Sequence, residues 1–175
     1  MFWLVDTLSA VQKFMESGGP VLWAIAILLF LMWALMFERV FYLKAAVKAD
    51  VDNALESWEA RAERKSKRAH QIREALISRV AIKVDQNIDL IKTLVALAPL
   101  FGLMGTVTGM ILVFDVMAIT GGGDAKAMAG GVSKATIPTM SGMVAALSGV
   151  FGMTYIDRLA SREKSLLEDH LTMDH

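Results

Sequence analysis

Three long runs without a charged residue dominate this sequence, at residues 17–37, 93–114 and 135–156, and they contain 21, 22 and 22 residues. At about 1.5 Å of rise per residue, a helix of this length measures roughly 32 Å, close to the roughly 30 Å hydrocarbon thickness of a bilayer. A backbone inside lipid must satisfy its own hydrogen bonds, so each run is expected to be helical. The sequence therefore predicts an all-α integral membrane protein with three transmembrane helices.

The composition agrees with this class and argues against several others. The chain is 55% hydrophobic with a mean hydropathy of +0.48, which suits a membrane protein better than a soluble domain. Its formal charge is zero, so no nucleic-acid partner is expected. There is no cysteine, and all three histidines lie outside the uncharged runs, so neither a metal nor another cofactor is expected. No nucleophile and base converge in the runs, which argues against an enzyme.

The charges orient the chain in the membrane. Of the 18 lysines and arginines, 12 lie between residues 38 and 92, and three follow residue 156. The positive-inside bias places both regions in the cytoplasm. The predicted segments are a periplasmic amphipathic helix (1–19), three transmembrane segments (20–42, 93–117 and 135–156), a cytoplasmic helical hairpin (43–92), a periplasmic loop (118–134) and a cytoplasmic C-terminal helix (157–175).

Two local signals refine these segments. Gly18-Gly19-Pro20 is expected to break the N-terminal helix, which either lies in the membrane interface or packs at the edge of the bundle. No glycine or proline occurs between Pro20 and Pro99, which favours long helices that continue the first two spans into the cytoplasm. The basic cluster at residues 64–68 is expected near the hairpin turn. A solvated surface is a simpler interpretation of this cluster than a site for lipids or a partner.

Residues 98–110, APLFGLMGTVTGM, differ from an ordinary lipid-facing span because they interleave glycine and threonine. Such small residues let another helix approach closely. This spacing resembles the second transmembrane segment of the MotA/TolQ/ExbB proton-channel family, and of its ExbB branch in particular. The resemblance continues through residue 158 into the third span. It is the most specific indication of function in the sequence.

The resemblance implies a homopentameric ring around a central pore in the inner membrane of a Gram-negative bacterium. The ring would surround an ExbD-like single-span protein whose aspartate carries the proton. That assignment fits the three uncharged runs, since conduction through them requires a titrating group from another chain. Membrane lipids and a TonB-like protein would be further partners, and the proton motive force would energise TonB-dependent import at the outer membrane. A TolQ-like role in envelope maintenance and a non-conducting membrane scaffold are the alternatives.

Specific residues follow from the same resemblance. Thr106 and Thr139 match the threonines of the family's second and third helices and would line the proton path. From spacing alone, each hydroxyl could equally bond a carbonyl of its own helix. Lys134 stands where ExbB commonly has a glutamate, which makes Lys134 and Asp115 candidates for the mouth of the pore. Ser148 stands where ExbB has a proline. Five glycines are predicted to be helix-packing positions: Gly102, Gly105, Gly109, Gly142 and Gly149.

Overall fold

The computed structural model describes residues 2–61, 63, 66–121 and 125–171, and every element among them is helical. Three stretches of helix are long and apolar enough to cross a membrane. The predicted all-α, three-span fold class is thereby confirmed. The elements in chain order are α1 (Phe2–Phe41), a π-helical segment (Tyr42–Ala46), α2 (Val47–Glu59), α3 (Lys67–Asp85), α4 (Ile88–Thr120) and α5 (Ala125–His170).

The expected break in the N-terminal helix lies inside α1. Gly19 has φ 66° and ψ −162°, a left-handed conformation that an L side chain disfavours, and Pro20 follows it. A Cβ at Gly19 would meet no atom within 4 Å, so the glycine is required by the backbone and not by space. Before the break, Leu8 and Val11 are exposed, whereas Met15 packs against a buried cluster.

The helices differ from the predicted segments at two places. Between α3 and α4, Asn87 adopts φ 62°. It interrupts the hairpin helix that the sequence predicts to continue into the second span. Asparagine tolerates this region better than other non-glycine residues, so the chain turns without glycine or proline. Helix α5 begins at Ala125, and residues 125–134 of the predicted loop are therefore helical.

The chain divides into two compact units, and the first contains the described residues among 2–33, 93–121 and 125–150. It joins most of α1 and α4 to the first half of α5. Its buried cluster consists of Val21, Leu22, Ile25, Leu28, Ala98 and Ala145. Large apolar side chains also cover its exterior, including Leu103, Val107, Val144 and Leu147. Such an exterior requires lipid or other protein chains around it.

The second unit contains the described residues among 34–92 and 151–171. Within it, α2 packs against α3 and against the π-helical segment. Ser66 caps α3, because its side-chain oxygen accepts a hydrogen bond from the Ala69 amide at 3.2 Å. The fully buried side chains of this unit include Leu43, Val47, Val84, Ile91, Ile156, Leu167 and Leu171. They form the apolar interior of this unit.

Candidate functional site

Helices α4 and α5 approach each other along a row of small residues, which we call the glycine seam. Small residues recur at intervals of three or four, the spacing of one helix face. The seam consists of Ala98, Gly102, Gly105 and Gly109 on α4, and of Ala135, Pro138 and Gly142 on α5. A Cβ at Gly102 would lie 3.0 Å from the Pro138 carbonyl oxygen, and one at Gly109 would lie 2.5 Å from the Ala135 Cβ. A side chain at Gly109 would therefore require the helices to shift, and one at Gly102 would press directly on the backbone of α5.

The remaining predicted packing glycines have equally close neighbours. A Cβ at Gly105 would overlap the Pro138 ring, and one at Gly142 would lie 2.5 Å from the Ala98 carbonyl oxygen. At Gly149, an added Cβ would lie 2.7 Å from the Met32 sulfur, so this glycine faces α1 as well as α4. All five glycines thus lie against a neighbouring helix, and at Gly102, Gly109 and Gly142 the atoms in contact include its backbone.

Gly131 is a further packing position, although the sequence predicts a loop over residues 118–134. A Cβ there would overlap the Val113 side chain on α4. The signal was present, because residues 131, 135, 138, 142, 145 and 149 are all glycine, alanine or proline at helical spacing. The glycine seam therefore continues beyond the uncharged run of α5.

The two predicted pore threonines make different hydrogen bonds. Thr139 donates from Oγ1 across the seam to the Gly102 carbonyl oxygen at 3.0 Å. Thr106 donates to the Leu103 carbonyl oxygen of its own helix at 2.7 Å. Both side chains are half-buried, and within the described part of the chain no hydrogen bond joins one threonine to the other. The own-helix alternative thus describes Thr106 and fails for Thr139.

Three further hydroxyls of these spans bond within their own helices. Thr108 donates to the Met104 and Gly105 carbonyls at 3.1 Å each. Ser141 and Ser148 bond the carbonyls of Ile137 and Ala145, at 2.9 and 2.7 Å. Both serines line a cleft of about 600 Å³ between α1 and α5 whose other lining residues are apolar. Their satisfied hydroxyls leave that cleft suited to apolar groups.

The residues predicted at the mouth of the pore are both exposed. Neither Lys134 nor Asp115 belongs to a salt bridge between described residues. Arg64 and Lys65 of the basic cluster lie outside the described residues, as does Asp124 near the predicted mouth of the pore. Lys134 does line a second cleft of the first unit, of about 420 Å³, together with residues of α1 and α4.

The second unit contains a polar network at residues whose sequence indicates only the end of the first span. The Arg39 side chain is 4% exposed and binds both carboxylate oxygens of Glu38 at 2.9 Å. A third donor of Arg39 reaches the Lys83 carbonyl oxygen in the last turn of α3, at 3.1 Å. The guanidinium also lies 4.9 Å from the Tyr42 ring centroid. Arg39 therefore joins α1 to α3 inside this unit.

Asp50 extends the same network to α2. Its carboxylate accepts hydrogen bonds from Lys83 Nζ at 2.5 Å and from the Tyr42 hydroxyl at 2.6 Å. The hydrogen bond from Lys83, followed by that from Tyr42, holds the pKa of Asp50 below its usual value of 3.8. This carboxylate is consequently ionised at neutral pH.

The end of α5 is held by charges from α3 and α4. Arg73 donates to the carbonyl oxygens of Leu171 and Glu168, which the end of the helix leaves without partners in its own backbone. Lys164 pairs with Asp85, and Lys92 pairs with Asp157 at 3.3 Å. These contacts fix the C-terminal half of α5 within the second unit.

Comparison with known proteins finds a matching family and several relatives. The family model described as "MotA/TolQ/ExbB proton channel family" matches residues 38–169, most of the chain. A protein of Synechocystis sp. named ExbB-like 1 is 36% identical over 93 residues, which cover 51% of this chain and 37% of that protein.

Two proteins named biopolymer transport protein ExbB are also similar. The one from Xanthomonas campestris is 32% identical over 85 residues, covering 49% of this chain and 34% of its own length. The one from Helicobacter pylori is 40% identical over 67 residues, covering 35% of this chain and 46% of its own length. The chain thus spans less than half the length of each of these relatives.

Proposed function

Because the chain belongs to the MotA/TolQ/ExbB proton channel family, we propose that it is the ring-forming subunit of an ExbB-like motor in the bacterial inner membrane. In this proposal, copies of the chain surround a single-span, ExbD-like partner that supplies an aspartate. Protons cross the membrane between the ring and that partner, and the complex energises a TonB-like protein for import at the outer membrane. The hairpin and C-terminus face the cytoplasm and the N-terminus faces the periplasm.

The observation that carries the proposal is the chemistry of the α4–α5 pair. Its two uncharged runs hold hydroxyls but no carboxyl, imidazole, amine or guanidine group, so this chain can line a proton path without itself carrying the proton. A titrating carboxyl must then come from a partner. The first unit has a packed apolar interior and also an apolar exterior. This exterior is consistent with neighbouring protein chains on several sides.

The hydrogen bonds of the threonines suggest how such a path would work. Thr106 and Thr139 each commit the hydroxyl proton to a backbone carbonyl, which leaves the oxygen lone pairs as acceptors. An acceptor stabilises a protonated carboxyl, which can donate, and does not stabilise a carboxylate. The two threonines would therefore favour the neutral form of the partner's aspartate while it is inside the membrane.

Energised uptake in cells tests the proposal. The chain is expressed with its ExbD-like and TonB-like neighbours, and assembly is followed by the native mass of the purified complex. Thr139→Ala and Thr106→Val are expected to abolish uptake while the complex persists. Thr139→Ser, which keeps the hydroxyl, and Thr136→Ala, one turn earlier on α5, serve as controls and should retain uptake.

Three outcomes would contradict the proposal in different ways. Normal uptake in Thr139→Ala and Thr106→Val would remove both threonines from the proton path. A complex that forms no ring, or forms one that never takes up the partner, would leave a non-conducting scaffold. A ring that restores envelope integrity but not uptake would identify a TolQ-like motor.

A further inference from the structure

The 420 Å³ cleft of the first unit carries opposite charges on different helices. Glu16 of α1 and Lys134 of α5 line it, and Val21, Ile111 and Leu112 supply apolar surface. This volume lies within the roughly 300–1,000 Å³ of clefts that hold small ligands. The cleft therefore combines an anion, a cation and an apolar wall within reach of one bound molecule.

The position of the two charges sets the depth of the cleft in the membrane. Glu16 is the last charged residue before the uncharged run 17–37, and Lys134 is the last before the run 135–156. Charged residues at such positions lie where lipid headgroups meet the acyl chains. The molecules that the cleft meets at the highest concentration are thus phospholipids.

Neither charge is neutralised by an ion pair within the described residues. Glu16 accepts one hydrogen bond from the neutral Gln12 amide, at 3.5 Å, and Lys134 belongs to none of the salt bridges. Both residues are exposed, so their charged groups are accessible. A ligand that carries one negative and one positive group would satisfy both at once.

We propose that this cleft binds the headgroup of a zwitterionic phospholipid with a primary ammonium, such as phosphatidylethanolamine. The Lys134 ammonium donates to the lipid phosphate, and the Glu16 carboxylate accepts from the lipid ammonium. Ile111 and Leu112 lie against the upper part of the acyl chains. The inference rests on the membrane location of the chain and not on proton conduction.

The charges also determine which lipids the cleft disfavours. A choline headgroup has no N–H to donate to Glu16, and an anionic headgroup such as phosphoglycerol brings no cation to this carboxylate. The cleft should therefore prefer ethanolamine over choline and glycerol headgroups with identical acyl chains.

Native mass spectrometry of the full-length protein in its purified complex tests this inference. The complex is delipidated and mixed with phosphatidylethanolamine, phosphatidylcholine or phosphatidylglycerol of matched chains, and bound lipids are counted per protomer. We expect about fivefold stronger retention of phosphatidylethanolamine than of phosphatidylcholine, the effect of one charged contact at a membrane surface. Glu16→Gln should abolish this preference, and Lys134→Gln should weaken retention of all three lipids.

The control is Lys13→Gln, which removes an exposed cation of α1 that does not line the cleft. It should leave the lipid preference unchanged. Equal retention of ethanolamine and choline lipids by the unmodified protein would overturn the inference, as would a preference that survives Glu16→Gln. This experiment counts bound lipids and does not measure uptake. The lipid proposal can therefore fail while the proposed function holds, and the reverse.

Discussion

The Thr139 hydroxyl donates to the Gly102 carbonyl oxygen at 3.0 Å, across the interface between α5 and α4. The contact is possible because Gly102 has no side chain, since an added Cβ would lie 3.0 Å from the Thr139 Cα. The glycine that brings the helices together thus also exposes the acceptor that the threonine uses. Helix packing and hydroxyl orientation are coupled at this position. A substitution of Gly102 or of Thr139 therefore affects the packing as well as the hydrogen bond.

Replacing Thr139 by valine should destabilise the α4–α5 pair, because valine keeps the volume but loses the donor. We expect a loss of about 0.5–2 kcal/mol, the range for interhelical hydrogen bonds in membranes. Thr139→Ser should recover most of it. Reversible unfolding in mixed detergent micelles measures both variants, and valine and serine variants of equal stability would show that the hydrogen bond contributes nothing.

A Cβ at Gly105 should be far more disruptive than one at Gly130, although both glycines lie in helices. The Gly105 Cβ would overlap Pro138, whereas the Gly130 Cβ would meet no atom within 4 Å. Gly105→Ala should cost about 1–3 kcal/mol through overpacking. Gly130→Ala should be neutral or stabilise by up to about 1 kcal/mol, because alanine is the better helix former. Similar unfolding free energies for the two variants would refute the seam contact at Gly105.

The spans could be predicted from the sequence because their signals are local. An uncharged run has to be helical in lipid, and glycines at intervals of three and four residues indicate where a neighbouring helix approaches. The start of α5 at Ala125 was harder to predict from the sequence. Gly130 and Gly131 suggested a loop, yet Gly131 packs against Val113, and this tertiary contact makes a glycine favourable inside the helix.

The polar contacts could not be predicted because they depend on which helices meet. Arg39 looked like an ordinary charge at the end of a span, and only the position of α3 places the Lys83 carbonyl beside it. Likewise, nothing in the sequence distinguishes the hydrogen bond of Thr139, across the seam, from that of Thr106, within its helix. The turn at Asn87 lacked the glycine or proline that usually indicates one.

Substituting Arg39 by lysine should destabilise the second unit, although the substitution keeps the positive charge. A lysine cannot bind both Glu38 oxygens in a fork and reach the Lys83 carbonyl as well. With the Arg39 side chain only 4% exposed, water cannot replace the lost contacts, and we expect a cost of about 1.5–3 kcal/mol. Chemical unfolding followed by helical circular dichroism measures this cost. The exposed Arg158 provides the control, because Arg158→Lys should change stability by less than about 0.5 kcal/mol.

Lowering the pH should reduce the folding stability of the second unit, because Asp50 becomes protonated. Its pKa is lower in the folded protein than the usual 3.8, so its ionised form stabilises folding above that pH and loses the effect as pH falls. Asp50→Asn should therefore cost about 0.5–1 kcal/mol at pH 7, a modest value because the carboxylate is partly exposed, and the difference from wild type should vanish below the folded-state pKa. Trp58, the one tryptophan of this unit's sequence, reports its unfolding once the other three are replaced by phenylalanine. The exposed Asp52 is the matched control, and an Asp50→Asn penalty that persists undiminished at low pH would exclude the charge as its origin.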